Sequence, residues 1–145
     1  IKIMETIVVT VKSVKLFINE SSANIQIGFD KATKGFVKAD DGTYTEGEVY
    51  HISFFRSRLT AQLCQCSDDI AMYRATLDHS FGQKEFGVIL FNAKLKLNRE
   101  LHKAGEVLGE GDDAITLDRD CYITDVVGVT LSERALRCLD AAITL

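Results

Sequence analysis

The alternation that opens this chain changes phase part-way. From Ile7 to Ile18 apolar and polar side chains alternate as they do along a half-buried strand, but Ile7, Val9 and Val11 share one parity while Val14, Leu16 and Ile18 share the other. A straight strand would send half of these apolar side chains to the wrong face, because a slip of one residue exchanges the two faces. One extra residue near Lys12 and Ser13 restores a single apolar face, so a bulge or sharp bend is expected there. The fold must therefore accommodate a long first strand that turns a corner.

After a polar turn at Asn19–Ser22, the residues Ala23, Ile25, Ile27 and Phe29 alternate with Asn24, Gln26, Gly28 and Asp30, the pattern of a half-buried antiparallel strand. Asp40-Asp41-Gly42 lies between Gly35–Lys38 and Thr43–Thr45, and Asp-Gly supplies the positive φ that a tight hairpin needs. In Glu48–Phe55, Tyr50, Ile52 and Phe54 form one apolar parity, which predicts a further strand. Arg56–Gln65 holds no breaker and places Leu59 and Leu63 four apart, which predicts a short helix. Ile70–Leu77 fits helix and strand equally. Gly82 and Gly87 are read as bracketing a turn before a strand over Val88–Asn98, with Ile89, Phe91, Ala93, Leu95 and Leu97 on one face. An acidic, Gly-containing loop over Gly105–Asp120 leads to a last strand over Tyr122–Leu131, with Val127, Val129 and Leu131 on one parity. Thr130 and Glu133 have capping-box spacing, and Leu131, Ala135, Cys138, Leu139 and Ala142 recur at helical spacing, so a C-terminal helix is expected.

Composition bounds the class. The 145 residues are 46% hydrophobic and 26% charged, without Pro or Trp, which fits one domain over residues 1–145. A chain of this length removes roughly 70% of its unfolded surface from water and needs no disulfide or structural metal. Met4 followed by Glu-Thr-Ile-Val-Val reads as an initiation site, so Ile1–Ile3 carry no weight. No apolar run approaches the ~18 residues of a membrane span, and no secretory leader is seen, so a soluble cytoplasmic protein with no membrane partner is expected. Cys64, Cys66, Cys121 and Cys138 are then reduced thiols; a zinc site from Cys64, Cys66 and His79 lacks the usual ligand spacing.

The net charge of −4 argues against a generically polybasic nucleic-acid binder, yet the charge is unevenly placed. Residues 1–38 carry six basic against three acidic side chains and residues 81–105 five against two, whereas 39–80 (three against seven) and 106–145 (three against nine) are acidic. If the basic segments are neighbours in one sheet, Lys12, Lys15, Lys31, Lys34, Lys38, Lys94, Lys96, Arg99 and Lys103 converge on one surface. The plainer alternative is that lysines blunt exposed strand edges. Phe36, Tyr44 and Tyr50 lie in or beside the hairpin, where exposed rings stack on unpaired bases. Tyr44, next to the polar turn, is the expected exposed ring, while Phe36 and Tyr50 are candidates for the core.

No catalytic signature accompanies these features, and no cofactor is expected. Gly105-Glu-Val-Leu-Gly-Glu-Gly lacks the Lys-Ser/Thr of a phosphate loop and its carboxylates repel phosphate. There is no Gly-x-Ser-x-Gly elbow and no His-Glu-x-x-His pair. Asp112, Asp113, Asp118, Asp120 and Asp125 lack the spacing of a calcium loop and read as a solvated acidic loop.

The order bent strand, strand, strand, helix, strand, strand resembles the oligonucleotide-binding (OB) fold, a five-stranded, partly open barrel with a helix between its third and fourth strands. The expected class is thus mainly β with one or two short helices, an OB-like barrel and a C-terminal helix. The single-stranded-DNA-binding proteins of bacteria and phages are similar in outline. That resemblance implies nucleic-acid contacts at Lys31, Lys34, Phe36, Lys38, Tyr44, Lys94 and Lys96, to which Lys12 is added from the convergent lysines. It implies a non-catalytic protein that binds single-stranded DNA, with RNA left open and a homo-oligomer or protein partner compatible. The rival class is a structural or assembly subunit, a virion or complex component, whose sheet edges and amphipathic helix meet a partner.

Overall fold

A computed structural model describes residues 4–20, 22–67 and 83–144, with side chains up to Cys138 in the last helix. The bent first strand organises it. β1 (Met4–Ile18) pairs antiparallel with β4 (Lys94–His102) through its first half, from Met4 opposite Glu100 to Thr10 opposite Lys94. Its second half pairs with β2 (Ala23–Lys38), from Val11 opposite Phe29 to Ile18 opposite Ala23. Val11 faces Phe29 and Ser13 faces Gly28, so Lys12 is the extra residue of a bulge. Val9 and Val11 point into the core before it, and Val14 and Leu16 pack against the core after it, as the phase change requires.

β2 continues through the Asp41-Gly42 turn into β3 (Tyr44–Phe55), and β4 pairs with β7 (Cys121–Thr130). The turn has the expected chemistry: Gly42 has a φ of 86°, its N–H donates to the Ala39 carbonyl, and Asp41 accepts from the Thr43 hydroxyl and N–H. The five strands run β3-β2-β1-β4-β7, all antiparallel, and no ladder joins β3 to β7, so the sheet is not closed. Between β4 and β7 a small hairpin of β5 (Val107–Leu108) and β6 (Ile115–Thr116), bridged by a 3₁₀ turn at Gly111–Asp113, gives structure to the acidic segment expected as a loop.

Helix α1 (Arg56–Cys66) follows β3 as expected and buries Leu59 and Leu63 completely, worth about 1.5–3 kcal/mol for each side chain. The strand expected over Val88–Asn98 is corrected. Residues Gln83–Leu90 form helix α2, which buries Phe86, Ile89 and Leu90 at helical spacing, and Gly87 lies inside it rather than in a turn. Asn92, in the left-handed region with a φ of 62°, separates this helix from β4, which starts at Lys94. Gly82 and the ambiguous Ile70–Leu77 lie outside the described residues.

Two parities also change. Lys96 faces Gly128 while Leu97 faces Val126, so Val127 is a bulge residue turned to solvent and does not share a face with Val129. Of Tyr50, Ile52 and Phe54 on β3, only Ile52 and Phe54 face inward. Gly28 faces His51 and Thr33 faces Val49, so Phe29–Ala32 stand opposite Tyr50 alone, and Tyr50 is 59% exposed instead of in the core. Helix α3 (Glu133–Thr144) is capped by Ser132, whose hydroxyl accepts from the Ala135 N–H at 3.1 Å; Thr130 is the last residue of β7. Among the described residues no helix is long and apolar enough to cross a membrane.

Candidate functional site

The register places three rows of side chains on the solvent face of β1, β2 and β3. Leu16–Ile25–Phe54 and Val14–Ile27–Ile52 form the core-facing rows, so the alternate rows Phe17–Asn24–Phe55, Lys15–Gln26–Ser53 and Ser13–Gly28–His51 face out. The outward rows carry large apolar rings where polar residues are the rule. Phe17 is 54% exposed and Phe55 60%, and they flank Asn24 about 10 Å apart, two strand spacings. Tyr50, released by the irregular pairing of β2, adds a third ring.

A groove runs beside these rings, lined by Lys12, Ser13, Lys15, Gln26, Tyr50 and His51 around Gly28. Gly28 is its floor: a Cβ there would lie 2.2 Å from the Ser13 hydroxyl oxygen. The bulge that turns β1 also delivers the first cation. Lys12 lines the groove and donates from Nζ to the Asn92 side-chain oxygen at 3.0 Å. Among the described residues no carboxylate lines the groove. Cations beside exposed rings attract a polyanion whose unpaired bases stack.

A separate cleft of about 360 Å³ lies between β3 and β7, where the sheet is open, and shares His51 with the groove. Arg99, only 4% exposed, donates from Nε to the Thr124 hydroxyl at 3.1 Å and from Nη1 to the Thr33 hydroxyl at 2.7 Å and to the Lys34 carbonyl. Its guanidinium lies 4.7 Å from the Tyr122 ring, and burial depresses its pKa. The Tyr122 hydroxyl donates to Glu46 at 2.7 Å; burial first, and Glu46 second, push its pKa up to about 12. Cys121, which also lines the cleft, has its pKa raised by burial, which favours the thiol over the thiolate.

The residues singled out from the sequence divide between these places. Lys12 joins the groove. Lys31 stands exposed in the irregular stretch of β2 opposite Tyr50. Lys34, Phe36 and Lys38 alternate along the end of β2 and face Glu48, Glu46 and Tyr44, so a carboxylate partly neutralises Lys34. Phe36 is half-buried with its ring 5.6 Å from Tyr122, and Tyr44 is exposed beneath the Arg119 guanidinium, 3.9 Å away. Lys94 and Lys96 stand beyond the bulge, in rows with Thr10 and Thr130 and with Val8 and Gly128, and share no row with the rings. Arg99 is buried, so the nine basic residues are not all on the surface.

Phe17, Phe55, Arg119 and Tyr122 were not singled out from the sequence. Phe17 carried a signal: past the bulge it has the parity opposite to Val14 and Leu16, which is the solvent side. Among the described residues no three His, Cys, Asp or Glu side chains gather to hold a metal ion, and His79 lies outside them. No known family, curated protein or solved structure matches this chain.

Proposed function

We propose that this chain binds single-stranded nucleic acid across the solvent face of β1, β2 and β3, without catalysis. The observation that carries the proposal is the set of exposed rings Phe17, Phe55 and Tyr50 in and beside a groove whose described lining contains Lys12 and Lys15 and no carboxylate. Each ring offers a stacking contact worth about 1–3 kcal/mol per base, and only unpaired bases present their faces. Phosphates passing along the groove meet the lysine ammonium groups. A strand order with β1 shared between two ladders, and helices between the third and fourth long strands, suits a partly open barrel of the OB kind with its seam between β3 and β7.

The test is fluorescence anisotropy of a labelled ~20-nucleotide oligo-dT and a matched duplex, at two salt concentrations, with Phe17→Ala and Phe55→Ala. Preferential, salt-sensitive binding of the single strand, weakened about tenfold by either substitution with the fold intact, is the expected result. Equal affinity for the duplex, or no binding at micromolar protein and low salt, overturns it and favours the assembly-subunit reading.

A further inference from the structure

The cleft between β3 and β7 differs in chemistry from the groove. The groove holds lysine ammonium groups, whereas the cleft holds arginine guanidinium groups, and that of Arg99 is fixed in place by hydrogen bonds. Arg99 is immobilised by three acceptors that occupy Nε and Nη1, and none of these described bonds uses Nη2. Arg119 also lines the cleft, its guanidinium carbon 3.9 Å from the centre of the Tyr44 ring. Phe36 forms a half-buried wall, backed by Tyr122 at 5.6 Å. Gly35 lets β2 approach Val49 closely, since a Cβ there would lie 2.7 Å from a Val49 methyl. Glu46 is engaged by the Tyr122 hydroxyl and Glu5 faces Arg99 across the β1–β4 ladder, but the described lining of the cleft includes no carboxylate.

We propose that this cleft takes a nucleoside monophosphate group, its phosphomonoester against Arg99 and Arg119 and its base against Phe36. A phosphodiester carries one negative charge, whereas a phosphomonoester carries about 1.5 to 2 near pH 7, so a pair of guanidinium groups favours the monoester. The planar fork of arginine fits phosphate oxygens in pairs, and pre-fixed donors lose little freedom on binding. The volume of about 360 Å³ lies at the small end of ligand sites, the scale of one nucleotide. The group comes either from the phosphorylated end of a strand, which passes from groove to cleft at His51 and so rests on the strand-binding reading, or from a free mononucleotide.

The experiment compares oligo-dT of one length bearing a 5′-phosphate, a 3′-phosphate or hydroxyl ends, with free dTMP and thymidine as competitors, on the native chain and on Arg119→Ala. One phosphorylated end is expected to bind on the order of tenfold tighter than the hydroxyl ends. In Arg119→Ala that ratio falls to about one, and dTMP competes better than thymidine only with the native chain. Binding of dTMP without any oligomer keeps the cleft, with the free nucleotide as its source, and removes the strand reading. Equal affinity for all three ends, with no binding of dTMP at millimolar concentration, overturns the cleft proposal and leaves the strand reading standing. No binding by any probe overturns both.

Discussion

Gln62 on α1 completes the hydrogen bonding of Val126 on β7: its side-chain oxygen accepts the Val126 N–H at 2.7 Å while its amide donates to Asp125 at 2.8 Å. Arg58, one turn earlier on the helix, pairs with the same carboxylate. Gln83, at the start of α2, does the same for β1. It donates to the Val14 carbonyl at 2.8 Å and accepts the Leu16 N–H, on the edge that β4 has left at the bulge. Both glutamines accept a strand-edge N–H, and Gln83 also donates to a strand carbonyl, so the two helices cover stretches of edge that would otherwise invite another chain to pair.

Gln62→Ala leaves the Val126 N–H and Asp125 without these partners and should lower stability by about 1–3 kcal/mol, read from urea unfolding midpoints at constant slope. A midpoint unchanged within error would mean that water replaces the glutamine at no cost.

The buried guanidinium gives a larger expected effect. Arg99→Met strands the Thr33 and Thr124 hydroxyls and the Lys34 carbonyl and leaves Glu5 opposite an apolar side chain, so a loss of about 3–5 kcal/mol is expected. Arg99→Lys should recover little of it, because one ammonium cannot reproduce the planar fork that reaches these acceptors. Thermal unfolding of both variants checks the order.

How much of this was legible in the sequence depends on where each signal sits. The bend at Lys12 was readable because a single-residue insertion flips a parity that six apolar residues report. The corner at Asn92 was not, because Ile89 and Leu90 satisfy helical spacing with Phe86 while Ile89 also continues the parity of Leu95 and Leu97. Tyr50 was misplaced because the four residues of β2 opposite it interrupt the ladder without any change in the pattern of β3 itself. Val127 shows the same blindness, since two adjacent valines fit either phase of β7. The Arg99–Tyr122–Glu46 contacts join three strands far apart in sequence, and residue order alone contains no trace of that meeting.

The distribution of lysines predicts unequal effects on binding. Lys12→Glu with Lys15→Glu should weaken oligo-dT binding strongly and reduce the dependence of log affinity on log salt by about 0.7 for each phosphate that no longer meets an ammonium group. Lys94→Glu with Lys96→Glu, beyond the bulge and off the ring-bearing rows, should weaken it much less. Affinities at three salt concentrations decide between this arrangement and a single lysine surface; equal losses in the two double variants would refute the former.

Tyr122 should make stability fall in alkali. Its pKa rises from 10 to about 12 in the fold, chiefly through burial and then through the bond to Glu46, so folding favours the protonated phenol. A raised pKa of this kind contributes stability that is complete below about pH 10, where folded and unfolded chains are both protonated, and is lost as the pH climbs toward 12. Tyr122→Phe has no such group, so the stability difference between the native chain and this variant should be constant to about pH 9.5 and then shift steadily in favour of the variant. Urea midpoints of both proteins at intervals from pH 8 to about pH 11 measure it, and the other tyrosines cancel in the difference. A flat difference over that whole range would show that the phenol ionises alike in the folded and unfolded chains, and that the Tyr122–Glu46 bond does not hold the proton.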